Sequence, residues 1–186
     1  RGLEPALDPA LDPAHDPAWV LRPYPFYLAH QLTAEPGTLG DPAAWQVEWK
    51  WDGTRCQMIR RGGAGATSAA RTALWSRGEE LVSEQFPELL AAASALPAGS
   101  VLDGEVLAWD LSRPMPEDGG RPLGFAALQK RLNRKHVGHV LFHDVPVIFL
   151  AYDLLEHQGR DVRGLPLRGR RTLLSEVVHA AGERLI

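Results

Sequence analysis

Apolar and polar positions fall into short periodic blocks separated by glycine- and proline-bearing breaks. From Val101 to Trp109 the alternation has a period of two, which predicts a strand with Asp103, Glu105 and Leu107 on one face and Leu102, Val106 and Ala108 on the other. Pro146 to Glu156 is mostly apolar and predicts a buried central strand, with Tyr152 at its functional end and Asp153 directed to the opposite side. Val47 to Trp51 is aromatic and β-branched and also reads as a strand, closed by the turn signal Asp52-Gly53. Thr54 to Arg61 resumes a partly alternating pattern. Arg60 to Arg71 is a glycine- and alanine-rich hairpin loop, and Thr72 to Ser76 is the returning strand. A spacing of three and four takes over in Ser83 to Ala95, where Phe86, Leu89, Leu90 and Ala93 form one apolar face before Leu96-Pro97-Ala98-Gly99 stops the helix. Phe125 to Arg134 and Pro166 to Ala181 are the other expected helices, the last with Leu173, Leu174, Val177 and Val178 as its stripe.

Before these blocks, residues 1–21 repeat a Leu-Asp-Pro-Ala-like unit. Proline at every fourth position forbids a continuous helix and predicts an extended tether. The domain division is therefore a linker over 1–21 and a globular part over 22–186. The globular part opens on Arg22-Pro23-Tyr24-Pro25-Phe26-Tyr27-Leu28-Ala29, an aromatic and irregular stretch. Its length fits one domain of ordinary size. No apolar run approaches membrane-spanning length. The single Cys56 excludes an internal disulfide framework. A net charge of −3 gives no support to a dedicated nucleic-acid clamp, so any grip on phosphates must come from local arginine clusters or from other segments.

The candidate chemistry gathers around Glu48-Trp49-Lys50-Trp51-Asp52-Gly53-Thr54-Arg55. The chain uses only three lysines, Lys50, Lys130 and Lys135, among its 20 basic residues. Arginine cannot give up its proton to become a nucleophile, whereas a lysine that is buried or set beside another cation can. Lys50 at a strand end between two tryptophans suits that role; alternatively it is a strand-end lysine paired with Asp52. Arg77, after Ser76, either reaches a ribose or phosphate or pairs with Glu79 or Glu80. Asp103 and Glu105 either serve a divalent metal and ribose hydroxyls or are solvent-facing acids of an edge strand. Lys130, Arg131, Arg134 and Lys135 are either a solvated face or a DNA-backbone patch. Arg168, Arg170 and Arg171 face DNA or solvent. His136, His139 and His143 have helical spacing but no evident fourth zinc ligand.

Taken together, Lys50-Trp51-Asp52-Gly53-Thr54-Arg55, Ser76-Arg77-Gly78, Asp103-Gly104-Glu105 and Tyr152-Asp153-Leu154-Leu155 follow in the order of motifs I, Ia, III and IIIa of the covalent nucleotidyltransferases. These are the ATP-dependent DNA ligases, RNA ligases and mRNA capping enzymes. Leu74-Trp75-Ser76-Arg77-Gly78-Glu79-Glu80-Leu81 with Phe86-Pro87-Glu88-Leu89, and Val101-Leu102-Asp103-Gly104-Glu105, resemble bacterial ATP-dependent DNA ligases in particular. The resemblance covers about residues 22 to 180. It implies an α+β nucleotidyltransferase fold, ATP-grasp-like, with antiparallel sheets flanked by helices. It implies that Lys50 takes up AMP from ATP, passes it to the 5′-phosphate of a nicked duplex DNA, and that the nick is then sealed. It assigns nucleotide contacts to Glu48, Trp49, Arg55, Arg77, Glu105 and Tyr152, with Tyr152 stacking on the base, and Mg²⁺ to Glu105 and Asp103.

The resemblance further implies a monomer working in the bacterial cytoplasm, without a membrane partner, and a DNA-binding domain upstream of the linker. No E-G-x-V-x-K or K-x-K pattern is present, so the family's motifs IV and V and its small barrel domain are expected to be missing and 22–186 to be an incomplete adenylation domain. An RNA ligase or capping-type transferase shares the same chemistry, and a nucleotide- or DNA-binding module without turnover is the alternative outside it.

Overall fold

A computed structural model describes residues 21–62, 70–112, 121–134, 139–179, 181 and 184–186. The expected tether lies outside these residues except for Leu21, which packs beside Ile59, Val101 and Leu155. Most of the hairpin loop, most of the proline- and glycine-bearing loop 112–123, Lys135 and His136 also lie outside them, as does the side chain of His139.

The alternating blocks form strands. In chain order the elements are β1 (Thr54–Arg61), β2 (Arg71–Ser76), α1 (Pro87–Ala93), β3 (Ser100–Asp110), β4 (Arg121–Pro122), α2 (Phe125–Leu132), α3 (His139–Asp144), β5 (Val147–His157), β6 (Arg160–Asp161) and α4 (Leu167–His179). The strands make an antiparallel sheet in the order β2-β1-β3-β5-β6, with β4 paired to the end of β3. β3 is thus central rather than an edge, as its two buried faces require.

One face of the sheet carries Cys56, Met58, Leu102, Val106, Phe149 and Leu154 and packs on the apolar stripes of the helices through Leu89, Ala93, Leu128, Leu174 and Val177. Burial there pushes the Cys56 thiol well above its ordinary range and leaves it unreactive. The opposite face is capped at its two ends by smaller clusters, Ile59–Val101–Leu155 and Leu107–Trp109–Ile148. The polar side chains lie between them.

Three local expectations are corrected. Among the described residues Val47 to Trp51 pairs with no strand; the sheet begins only at Thr54, beyond the Asp52-Gly53 turn. The Ser83 helix is split: Ser83–Gln85 is a single 3₁₀ turn, and the α-helix starts at Pro87. Proline bars the α conformation from the residue before it, and Phe86 accordingly sits at φ −136°, ψ 52°. Arg131 is not part of a surface patch. It is wholly buried, pairs with Glu88, donates to the carbonyls of Val145 (3.1 Å) and Gln85 (2.9 Å), and lies over the rings of Phe86 and Phe142.

That buried cation fastens α2 to α1 and to the loop before β5. Removing one partner of such a pair strands the other charge, at a cost of about 3–5 kcal/mol. Arg131→Ala should lower the unfolding free energy measured in urea by that much, whereas Lys130→Ala, at an exposed position, should stay within about 0.5 kcal/mol. Equal losses would refute the structural role.

Candidate active site

The site lies on the sheet face opposite the helices. Its floor is β1, β3 and β5, and its rim is the extended segment 46–52 and the turn after β2. An open cleft of about 810 Å³ is lined by Lys50, Glu48, Trp49, Arg55, Arg77, Glu105 and Tyr152, among others. All seven residues come from four separate stretches of sequence, so the fold brings together the residues that the motifs single out.

The Asp52-Gly53 turn drops the chain onto β3. A side chain at Gly53 would run into the Val106 carbonyl and come within 2.7 Å of Leu107 Cδ2, so only glycine permits this approach. The approach lets the Gly53 N–H donate to the Glu105 carboxylate. Gly104 is crowded in the same way on the opposite face, where a Cβ would meet the Leu150 carbonyl and stand 2.7 Å from the Phe149 ring. Arg77 is positioned by its backbone: its N–H donates to the Arg55 carbonyl (3.0 Å), which prolongs the β1–β2 pairing by one step and leaves the guanidinium exposed in the cleft.

Lys50 lies in the cleft but is exposed, and Trp49 is 84% exposed. The expected burial of the lysine between two tryptophan rings is therefore corrected. Of the two, Trp51 alone packs, edge-on to Trp109 with centroids 5.9 Å apart. The lysine is held in place by the anchored turn behind it.

Asp103 stands apart from the Lys50 cleft. Its carboxylate takes the Arg55 guanidinium side-on, Nε to Oδ1 at 3.0 Å and Nη2 to Oδ2 at 2.9 Å. Arg55 also donates to the Tyr27 carbonyl and lies 5.5 Å from the Phe26 ring and 5.8 Å from the Tyr152 ring. Burial, reinforced by Asp103, holds the Tyr152 phenol far above its ordinary range, so the ring stays neutral. Glu105 differs from Asp103. Burial pushes it up to about 7, Asp103 adds to this, and Gly53, Arg55 and Lys50 pull the other way. Among the described residues no group of three His, Cys, Asp or Glu side chains could hold a metal ion on its own.

Tyr152 and Asp153 were expected to point in opposite directions. In β5 the register slips between Asp103–Asp153 and Gly104–Ala151, so Tyr152 is an extra residue with no partner on β3. This β-bulge turns Tyr152 and Asp153 to the same side, where both line a second small hollow with Arg55, Asp103 and Glu48. The bulge is met by the start of α4. Arg170 pairs with Asp153 (Nε to Oδ1 2.7 Å, Nη2 to Oδ2 2.9 Å), and Arg171 donates to the Tyr152 carbonyl at 2.8 Å. The sequence marks these arginines as a basic first turn; their inward direction depends on the bulge, which no residue pattern announces.

The sheet and its cleft have the nucleotidyltransferase fold. The family model described as "ATP dependent DNA ligase domain" matches residues 27–186, and the chain belongs to that family. It is 44% identical over 135 residues to a probable DNA ligase of Opitutus terrae, covering 72% of this chain and 12% of that one. It is 37% identical over 145 residues to a DNA ligase of Haloarcula marismortui, covering 77% and 24%. The solved structure of mycobacterial DNA ligase D complexed with ATP and MES superposes with a TM-score of 0.53 at 30% identity, over 74% of this chain and 38% of that one. The chain spans only about an eighth to a quarter of the length of these two curated relatives. No helix among the described residues is long and apolar enough to cross a membrane.

The Glu105 carboxyl gives a pH test. Because its folded value of about 7 lies above its ordinary 4.5, folding favours the protonated form; the stability tied to this group is full below pH 4.5 and is lost as pH rises through 7. In metal-free buffer Glu105→Gln should match the native stability near pH 4 and exceed it at pH 8 by on the order of 1–3 kcal/mol. A native advantage at pH 8 would contradict the assigned environment.

Proposed function

We propose that this chain is the amino-terminal part of the adenylation domain of an ATP-dependent DNA ligase, with Lys50 as its covalent nucleotide acceptor. The observation that carries the reading is the shared cleft: Lys50, Glu48, Arg77, Glu105 and Tyr152 line one cavity, reached through a glycine turn that permits no other residue. In the first step the Lys50 Nζ lone pair attacks the α-phosphorus of ATP. A P–N bond forms, the bond from that phosphorus to the bridging oxygen breaks, pyrophosphate leaves with the electron pair, and the amine loses its proton. AMP then passes to the 5′-phosphate at a nick in duplex DNA, and the 3′-hydroxyl displaces AMP as the strand is sealed.

Around this chemistry the residues take distinct roles. Tyr152 offers a neutral ring for the base, with Trp49 beside it, and Glu48 offers an acceptor for an exocyclic amine. Arg77, exposed in the cleft, binds ribose or phosphate. Arg55, held by Asp103 and stacked near Tyr152, shapes the wall beneath the nucleotide and adds positive charge to the cleft.

The donor set fits Mg²⁺, which binds proteins through one or two carboxylates and completes its shell with substrate phosphates and water. Glu105 is the cleft carboxylate that would hold it, whereas both oxygens of Asp103 are engaged by Arg55. Bound there, the ion would neutralise phosphate charge. The protein would act as a monomer, with the DNA contacted by exposed arginines and by regions of the whole ligase outside these residues.

Intact mass after incubation with ATP and Mg²⁺ tests the reading. The native chain should gain one AMP, and Lys50→Ala should gain none. A gain that survives in the mutant, or no gain in the native chain and in a longer ligase containing it, would remove the catalytic assignment.

A further inference from the structure

The extended segment 46–51 separates two hollows. On one side is the cleft with Lys50. On the other is a cavity of about 740 Å³ walled by Val47, Trp49, Trp51 and Tyr152, with Glu48 and Arg171 as its charged residues. Flat aromatic walls with a single carboxylate and a single guanidinium suit a planar heterocycle that carries hydrogen-bonding groups on one edge. Building on the adenylation reading, we propose that Arg171 is a positioning residue that sets the base selectivity of this site.

The geometry that supports this is local and shared. Arg171 Nη1 donates to the Tyr152 carbonyl at 2.8 Å, and the same nitrogen lies 3.8 Å from Glu48 Oε1. Glu48 in turn accepts from the Gln46 side chain. Tyr152 is the extra residue of the β5 bulge, so its ring direction depends on a backbone that β3 does not hold in register. Arg171 supplies a bond from outside the sheet. One side chain therefore ties the ring that would stack on a base to the carboxylate that would read its edge. The neighbouring Arg170–Asp153 pair fixes α4 against the same bulge.

The selectivity follows from donor and acceptor chemistry. A carboxylate only accepts, so Glu48 favours a base bearing an exocyclic amine and disfavours one bearing an oxygen there. A guanidinium only donates and would favour the oxygen. Arg171 directs Nη1 to the Tyr152 carbonyl, so that donor is taken, and the nearby carboxylate governs the edge. Without Arg171, Glu48 is less restrained. An amine-bearing base then loses more than an oxo-bearing one, because only the former uses the Glu48 contact.

The test is equilibrium binding of ATP and of ITP, whose base carries oxygen in place of the amine, to a Lys50→Ala background with Arg171, Arg171→Ala or Arg171→Lys. Arg171→Ala should weaken ATP about tenfold, the size of one charge-assisted contact, and leave ITP nearly unchanged, so that the ATP-to-ITP preference falls by about the same factor. Arg171→Lys, which keeps a donor, should recover part of the preference. A merely structural role would lower the unfolding midpoint and weaken both nucleotides equally, which would overturn the inference, as would unchanged binding of both. Should the native chain and a longer ligase containing it bind ATP yet gain no AMP, the catalytic reading alone falls and the ATP-to-ITP ratio still decides the role of Arg171. Failure to bind ATP at all would remove both.

Discussion

The two-pronged ion pair between Arg55 and Asp103 is the constraint on which the site depends. It crosses diagonally from β1 to β3, since in the register Arg55 faces Glu105 and Asp103 faces Gln57, two positions away. A buried carboxylate without a partner would be costly, and a guanidinium free to move would not define a wall. Joined, they fix the planar group of Arg55 between the Phe26 and Tyr152 rings. The irregular entry segment is held to the sheet in the same neighbourhood: Gln57, wholly buried, accepts from the Tyr24 N–H (2.8 Å) and donates to the Tyr24 carbonyl (2.9 Å). Arg61 then binds Glu156, and Tyr24 donates its hydroxyl to the same carboxylate at 3.0 Å. Polar pairs of this kind give the site face of the sheet a fixed arrangement where an apolar layer would have closed it.

This pairing also separates the two carboxylates of β3. They share a face and lie two residues apart, yet one is consumed by a permanent cation and the other is left in the cleft. Asp103 serves the architecture, and Glu105, accepting from a backbone N–H and pushed up to about 7 by burial, is the carboxylate left facing the cleft. Sequence spacing put both on one surface. Only the neighbouring strand could say which of them was already occupied.

The division between what was legible and what was not follows the range of the interactions. Period-two and period-three-to-four patterns are local, and they placed β2, β3, β5 and α4 within a residue or two. The four motifs, in order, marked the cleft residues without any coordinates. Val47 to Trp51 has the composition of a strand, but strand formation needs a partner, and among the described residues this segment has none. Arg131 reads as one more surface cation on a basic helix; its burial is set by Glu88 of α1, Phe86 just before that helix and Phe142 of α3. The bulge at Tyr152 is the clearest case. Alternation assigned Tyr152 and Asp153 to opposite faces, and a single unpaired residue, defined only by the register against β3, reversed that for one of them and gave α4 a surface to grip.

Under the adenylation reading proposed above, the exposure of Lys50 bears on how the lysine is presented. Neither tryptophan buries it, so the local fold supplies position more than desolvation. Position comes from Gly53, whose close contact with β3 fixes the turn immediately after the lysine, and from the extended segment before it, whose Glu48 is tied to Gln46 and approaches Arg171. Held at both ends, the side chain projects into a cleft where Arg55 and Arg77 contribute cations and where an arriving triphosphate would exclude water.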